Sequence, residues 1–222
     1  FQDRPAGLRQ PLDHLIQRGE FLTAYTPYQP EASQGTLQSI YEYQSAICRL
    51  TGMDVSNASM YDGGTALFEA MMMAVRITGR RQAVISKAVS PIYRKMIQCY
   101  SSNRDVELVE TEIDSSNVSS CIDRIAAAVS DKTACVIVQY PNFMGCAEDW
   151  KELVDKVHEK KAVAVCSVYP TALSALKTPG EMGFDIVTGE GQRLGIPLSF
   201  GGMPRLWPSP VTISNPISPG DG

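Results

Sequence analysis

Histidine is nearly missing from this sequence: His14 and His158 are the only two. With one near the ragged start and one late in a predicted helix, neither a zinc cluster nor a Ser-His-Asp arrangement can be assembled. No metal site is expected. The six cysteines, Cys48, Cys99, Cys121, Cys135, Cys146 and Cys166, include no CxxC pair, and a chain of 222 residues builds its core without disulfide staples. Free thiols are therefore expected, with Cys135 and Cys166 acting as small hydrophobes inside apolar runs. Positive charge is also short: 20 Lys and Arg against 24 Asp and Glu leave a net charge of -4. That removes the basic surplus that phosphate backbones select, so nucleic acid is not an expected partner. There is no apolar run of the roughly 20 residues that span a membrane. The N-terminus also lacks a charged start followed by an apolar run and a cleavage site, so a cytoplasmic location is expected.

What is present is an alternation of short apolar runs with helical periods. Thr36 to Leu50 carries Leu37, Ile40, Tyr41, Ala46, Ile47 and Leu50 near helical spacing and stops at Gly52. Thr65 to Thr78 opens after Gly63-Gly64 and closes at Gly79, its methionine run serving as packing. Ala83-Ser86, Val106-Val109, Ala134-Val138, Ala162-Val168 and Asp185-Thr188 read as strands, with helices at Pro91-Tyr100, Ser119-Val129 and Glu148-Lys160. Strands rich in valine and isoleucine without polar alternation belong to a parallel sheet covered on both faces. The expected fold is one open α/β sheet with right-handed crossovers, ligands gathering at the carboxyl ends of its strands. Residues 203–222 hold five prolines and no period, and read as an irregular tail.

Four stretches are candidates for chemistry. In Thr23 to Glu31, prolines hold an extended path that presents Tyr25, Thr26 and Tyr28 in fixed order; the same features suit a rigid connection with packed tyrosines. Asn57 to Thr65 is a polar, glycine-containing entry to a helix, where exposed N–H groups and the helix dipole favour an anion. Simple capping by Asp62 or Thr65 explains it equally, since the spacing and lysine of a P-loop are missing. Gly189-Glu190-Gly191-Gln192-Arg193-Leu194-Gly195 has glycines spaced much like a dinucleotide fingerprint, but Ile196-Pro197 interrupts the helix that fingerprint requires. Gln139 and Asn142 end a strand, as ligand contacts or as turn formers.

The runs RGEFLTAYTPYQPEASQGTLQSIYEYQ (Arg18 to Gln44), TGMDVSNASMYDGGTALFEA (Thr51 to Ala70), QYPNFMG (Gln139 to Gly145) and DIVTGEGQRLGIPLSFGG (Asp185 to Gly202) strongly resemble the α subunits of split glycine cleavage system P-proteins, the glycine dehydrogenase (decarboxylating) subunit 1 family. The resemblance covers residues 13–202 and implies a fold-type I pyridoxal phosphate-dependent transferase-like large domain, incomplete, with a mostly parallel sheet and helices on both faces. Residues 1–12 are then a ragged N-terminal segment. Family members run to roughly twice this length, and from Met203 the likeness stops, which reads as truncation or frame disruption.

In that family the β subunit, subunit 2, carries pyridoxal phosphate on a Schiff-base lysine, and the two subunits form an α2β2 heterotetramer. The equivalent place here falls near Gln192 and Arg193. A guanidinium stays protonated and cannot replace a lysine amine as an imine former. No catalytic lysine is therefore assigned, and the chain is expected to be inactive without its partner. The assembled enzyme is expected to decarboxylate glycine, with the cofactor as electron sink, and to pass the aminomethyl group to the lipoyl arm of H-protein. For this chain the resemblance implies contacts at the shared site from Tyr25, Thr26, Tyr28, Asn57 and Tyr61. The alternative is a noncatalytic assembly or regulatory module on an enzyme-like fold.

Overall fold

The computed structural model describes residues 14–15, 17–19, 26–114, 122–194 and 211–214, with residues 192–193 and 211–214 described by backbone alone. The chain divides into two compact units, residues 1–43 and 44–222. In the first, the Pro30 turn is closed by the Ala32 and Ser33 N–H groups, both 3.0 Å from the Gln29 carbonyl. Helix α1 (Gln34–Thr51) follows, and in its first turns Gln38 Nε2 donates to Glu42 Oε1 at 2.8 Å.

The second unit contains the end of α1, where Ile47 and Thr51 are buried, and then β1 (Val55–Ser56), α2 (Gly63–Thr78), β2 (Gln82–Ser86), α3 (Pro91–Ser101) and β3 (Glu107–Thr111). It continues with α4 (Ile122–Ala128), β4 (Thr133–Tyr140), α5 (Lys151–Glu159), β5 (Val163–Val168), β6 (Ile186–Gly189) and β7 (Val211–Ser214). Two 3₁₀ turns, Pro170–Ser174 and Gly191–Leu194, follow β5 and β6. The strands form one sheet in the order β1-β7-β6-β5-β4-β2-β3. Every pairing from β6 to β3 is parallel, while β7 is antiparallel to both β6 and β1. Two reversals make β1 parallel to the main set, so the loop after β1 leaves from the same end as those after β2, β4, β5 and β6.

Both faces of the sheet are covered, which is why its central strands are apolar throughout. On one face Leu67, Met71 and Ala74 of α2 and Ile97 of α3 pack against Ala83, Ile85, Cys135, Ile137, Val165 and Ile186. Val84, Val136 and Ala164 alternate to the opposite side. There α4 lies against β2 and β3, and α5 against β5, with Ile125, Leu153, Val154 and Val157 buried. The methionine run is packing: Met71 is fully buried, and Met72 and Met73 lie partly buried against the same core.

The predicted elements are present, and the differences lie at their ends and in short pieces. The sequence expectation missed β1, only two residues long, and the two 3₁₀ turns, which have no period to display. The reading of residues 203–222 as a tail without strand character differs at Val211–Ser214, which pairs Ile213 with Val187 and Thr188 with Thr212. Four residues cannot show an alternation of their own; a β-branched run becomes a strand when an edge is available to it. The rest of that tail and residues 1–12 lie outside the described residues, as does the start of the helix expected from Ser119. Among the described residues no helix is long and apolar enough to cross a membrane, and no cluster of metal-ligating side chains occurs. The described cysteines are free thiols; Cys121 lies outside the described residues.

Candidate functional site

The strand order places the switch point between β2 and β4: the chain moves outward from β2 to β3, then returns past β2 to build β4, β5 and β6. Open α/β sheets bind ligands at the carboxyl ends beside such a switch. In this chain the crevice is laced shut. Gln139 Oε1, at the end of β4, accepts from Ser90 N at 2.8 Å, and Phe143 N donates to Ala88 O at 2.8 Å. Asn142 Oδ1 accepts from Met144 N and Cys146 N, both at 3.0 Å. Of the two strand-end candidates, Asn142 realises the turn-forming reading, while Gln139 ties the end of β4 to the loop after β2. A second recess, lined by Ile47, Leu50, Val168, Pro170 and Gly191, encloses only about 10 Å³, hardly room for a single water.

An exposed feature at the carboxyl end of the strands is the loop from β1 into α2, which carries Asn57 and Tyr61. Gln44 Nε2, from the last turns of α1, donates to the Ser56 carbonyl, and Ser56 Oγ donates to Asn57 O at 3.0 Å. Asn57 Oδ1 in turn accepts from Ser59 N at 3.2 Å. The loop is thereby braced at its root. Ser59 has a φ of 135°, a conformation that L side chains rarely adopt, and its Oγ is buried without a hydrogen-bond partner. Two residues on, Tyr61 is 76% exposed. A braced, strained loop that holds an aromatic side chain in solvent is the arrangement expected of a contact surface rather than of core packing.

At the N-terminus of α2 the two sequence readings are separated by geometry. Asp62 Oδ1 accepts from Thr65 N at 2.8 Å and Asp62 Oδ2 from Thr65 Oγ1 at 2.6 Å, so the capping reading is realised. Gly63 and Gly64 are glycines because the protein's own side chains occupy the space a Cβ would take. A Cβ on Gly63 would collide with the Tyr93 hydroxyl, lie 2.7 Å from its ring carbon Cζ and 3.3 Å from Glu190 Oε2; one on Gly64 would collide with the Met96 thioether. Tyr93, Glu190 and Asp62 therefore converge on the first turn of α2. Burial first, then the negative surroundings of Glu190, Tyr169 and Asp62, push the Tyr93 phenol well above its ordinary range. It remains a neutral hydroxyl throughout the physiological range.

In the first unit Tyr28 is 87% exposed and its N–H donates to the Thr26 carbonyl at 2.9 Å, while Thr26 is half-buried. Tyr25 lies outside the described residues. The structure thus places Asn57 and Tyr61 on one loop of the second unit, and Thr26 with Tyr28 on one stretch of the first. Near Gln192 and Arg193 the backbone forms the 3₁₀ turn Gly191–Leu194, not the helix of a dinucleotide fingerprint. The sequence holds no lysine after Lys177. Lys177 pairs with Asp149 at 3.2 Å and Lys87 pairs with Glu112.

Sequence reasoning missed Tyr93, Tyr169 and the placement of Glu190. Tyr93 is an ordinary first-turn helical residue in the sequence, and nothing local marks it. Glu190 alone had a usable signal, a carboxylate directly after a strand, hidden inside a glycine pattern read for its spacing.

The chain is 58% identical over 192 residues to a probable glycine dehydrogenase (decarboxylating) subunit 1 of Nitratidesulfovibrio vulgaris, the match covering 86% of this chain and 43% of that protein. It therefore spans less than half the length of the curated relatives it matches. The crystal structure of glycine decarboxylase (P-protein) of the glycine cleavage system, in inhibitor-bound form, superposes with a TM-score of 0.84 at 39% identity, over 93% of this chain and 45% of that one. An O-acetylhomoserine (thiol)-lyase from Campylobacter jejuni, solved with pyridoxyl-lysine monophosphate, shares the fold at a TM-score of 0.58 and 14% identity, over 78% of this chain and 39% of that one. The architecture is that of the fold-type I pyridoxal phosphate enzymes. The glycine cleavage system P-protein family model matches residues 8–205, and the chain belongs to that family.

Proposed function

We propose that this chain is the α half of a glycine decarboxylase and works only with a β subunit, subunit 2, that carries the pyridoxal phosphate. The observation that carries the reading is the braced loop after β1. It holds Tyr61 in solvent at the carboxyl end of a sheet whose own crevice is sewn closed, so the loop faces a neighbour rather than an internal ligand. When bound to the partner, the cofactor supplies the electron sink for decarboxylation. This chain's share is orientation of glycine and exclusion of water, for which the resemblance offers Asn57, Tyr61, Tyr25, Thr26 and Tyr28 as candidates. The aminomethyl group then passes to the lipoyl arm of H-protein, and the working assembly is an α2β2 heterotetramer in the cytoplasm. Support comes from the family membership and from a GEGQR stretch that offers no amine for an imine.

The test is glycine-dependent carbon dioxide exchange after reconstitution with the β subunit and H-protein. Tyr61→Phe and Tyr25→Phe, which keep the rings and remove the hydroxyls, are each expected to lower kcat/KM by about tenfold, the loss of one polar contact at a site. Unchanged exchange in both variants, with assembly intact, would replace this reading with that of a noncatalytic assembly module.

A further inference from the structure

We propose that this chain keeps an anion site closed with its own side chains: Asp62, Glu190 and Tyr93, gathered at the first turn of α2, bar phosphorylated cofactors from its N-terminus. The inference rests on the reading above, that the partner carries the pyridoxal phosphate, and supplies a reason in this chain's own residues. A sixteen-residue helix that begins Gly63-Gly64 at the carboxyl end of a parallel sheet is the usual setting for a phosphate. Part of that setting is already used. The Thr65 N–H is taken by Asp62 at 2.8 Å. Access over Gly63 is filled by Tyr93 and by Glu190 Oε2, and over Gly64 by Met96.

Charge then decides the outcome. An incoming phosphate dianion would meet two carboxylates at the first turn of α2, against the partial positive charge of a single helix end. Among the described side chains, the cations that follow β2 and β5 are engaged by other groups. Lys87 is engaged by Glu112, Arg94 by Glu110 at 2.9 Å and by the Val89 carbonyl at 3.1 Å, and Lys177 by Asp149. Pyridoxal phosphate does not fit these residues, and no step of the reaction passes through this cleft.

The decisive experiment titrates the 222-residue chain with inorganic phosphate and with pyridoxamine 5′-phosphate, which cannot form an imine with surface lysines, using calorimetry. Wild type is expected to give no saturable heat. Asp62→Asn with Glu190→Gln, which keeps a capping oxygen and removes both charges, is expected to bind at least about tenfold tighter. Glu190→Gln alone, which leaves the cap untouched, should gain part of this, and circular dichroism confirms that each variant is folded. Saturable binding by wild type that weakens in the double variant overturns the proposal, as does a folded double variant with no gain. A failure of glycine exchange in the reconstituted enzyme would count against the proposed function and leave the titration result standing.

Discussion

Ser59 carries backbone strain within the candidate loop. Its φ of 135° and its buried, unpartnered hydroxyl both cost free energy, the backbone conformation alone about 1–3 kcal/mol. Ser59→Gly recovers that strain at an entropic cost of about 0.5–1 kcal/mol, so a net stabilisation of about 1 kcal/mol is expected by urea denaturation. If the strain serves to aim Tyr61, the same variant loses glycine exchange in the reconstituted enzyme while gaining stability. A destabilised Ser59→Gly would mean that the loop holds its shape for other reasons. At this scale the sequence was a partial guide. It marked Asn57 and Tyr61 as loop residues and Asp62 as a cap, since these depend on near neighbours, but Ser59 carried no sign of its left-handed backbone.

Among the elements, α5 and β6 are joined by a titratable pair. His158 Nε2 lies 2.9 Å from Asp185 Oδ2, which also accepts from Ala164 N at 2.7 Å. The bond to Asp185, followed by its charge and that of Asp155, raises the His158 pKa against the opposing effect of burial. A group whose folded pKa is raised contributes fully below its unfolded value, near 6.5 for histidine, and loses the contribution as pH rises through the folded value. The Tm advantage of wild type over His158→Gln should therefore be largest in mild acid and shrink above neutrality, small throughout because the imidazole is 41% exposed. A difference that grew with pH would show that neutral histidine is the favoured form. The helix α2 offers a second check: Asp62→Ala removes the cap and should cost about 1 kcal/mol, with Asp62→Asn near wild type. Element identity was legible because α2 and β4 each display their own period or apolar run. Element ends were less so, as with Gly63 and Gly64, assigned to the loop but forming the first turn of α2.

For the whole molecule, the strand order brings the loops after β2 and β4 together, and Gln139 closes them. Gln139 is 4% exposed and supplies the acceptor for Ser90 N. Gln139→Leu leaves that N–H without its acceptor and should cost about 1–3 kcal/mol by chemical denaturation. A neutral result would show that the crevice is held by the Phe143 to Ala88 bond alone. The sequence by itself determined the fold class, the buried faces of α2 and the central strands, and the want of an amine in GEGQR, because each is written in residues adjacent along the chain or one period apart. Only the tertiary structure decided that Asp62, Tyr93 and Glu190 meet over Gly63, and that Gln139 bonds to Ser90. Those contacts join residues far apart in sequence, and strand order and crossover direction set them rather than any local preference.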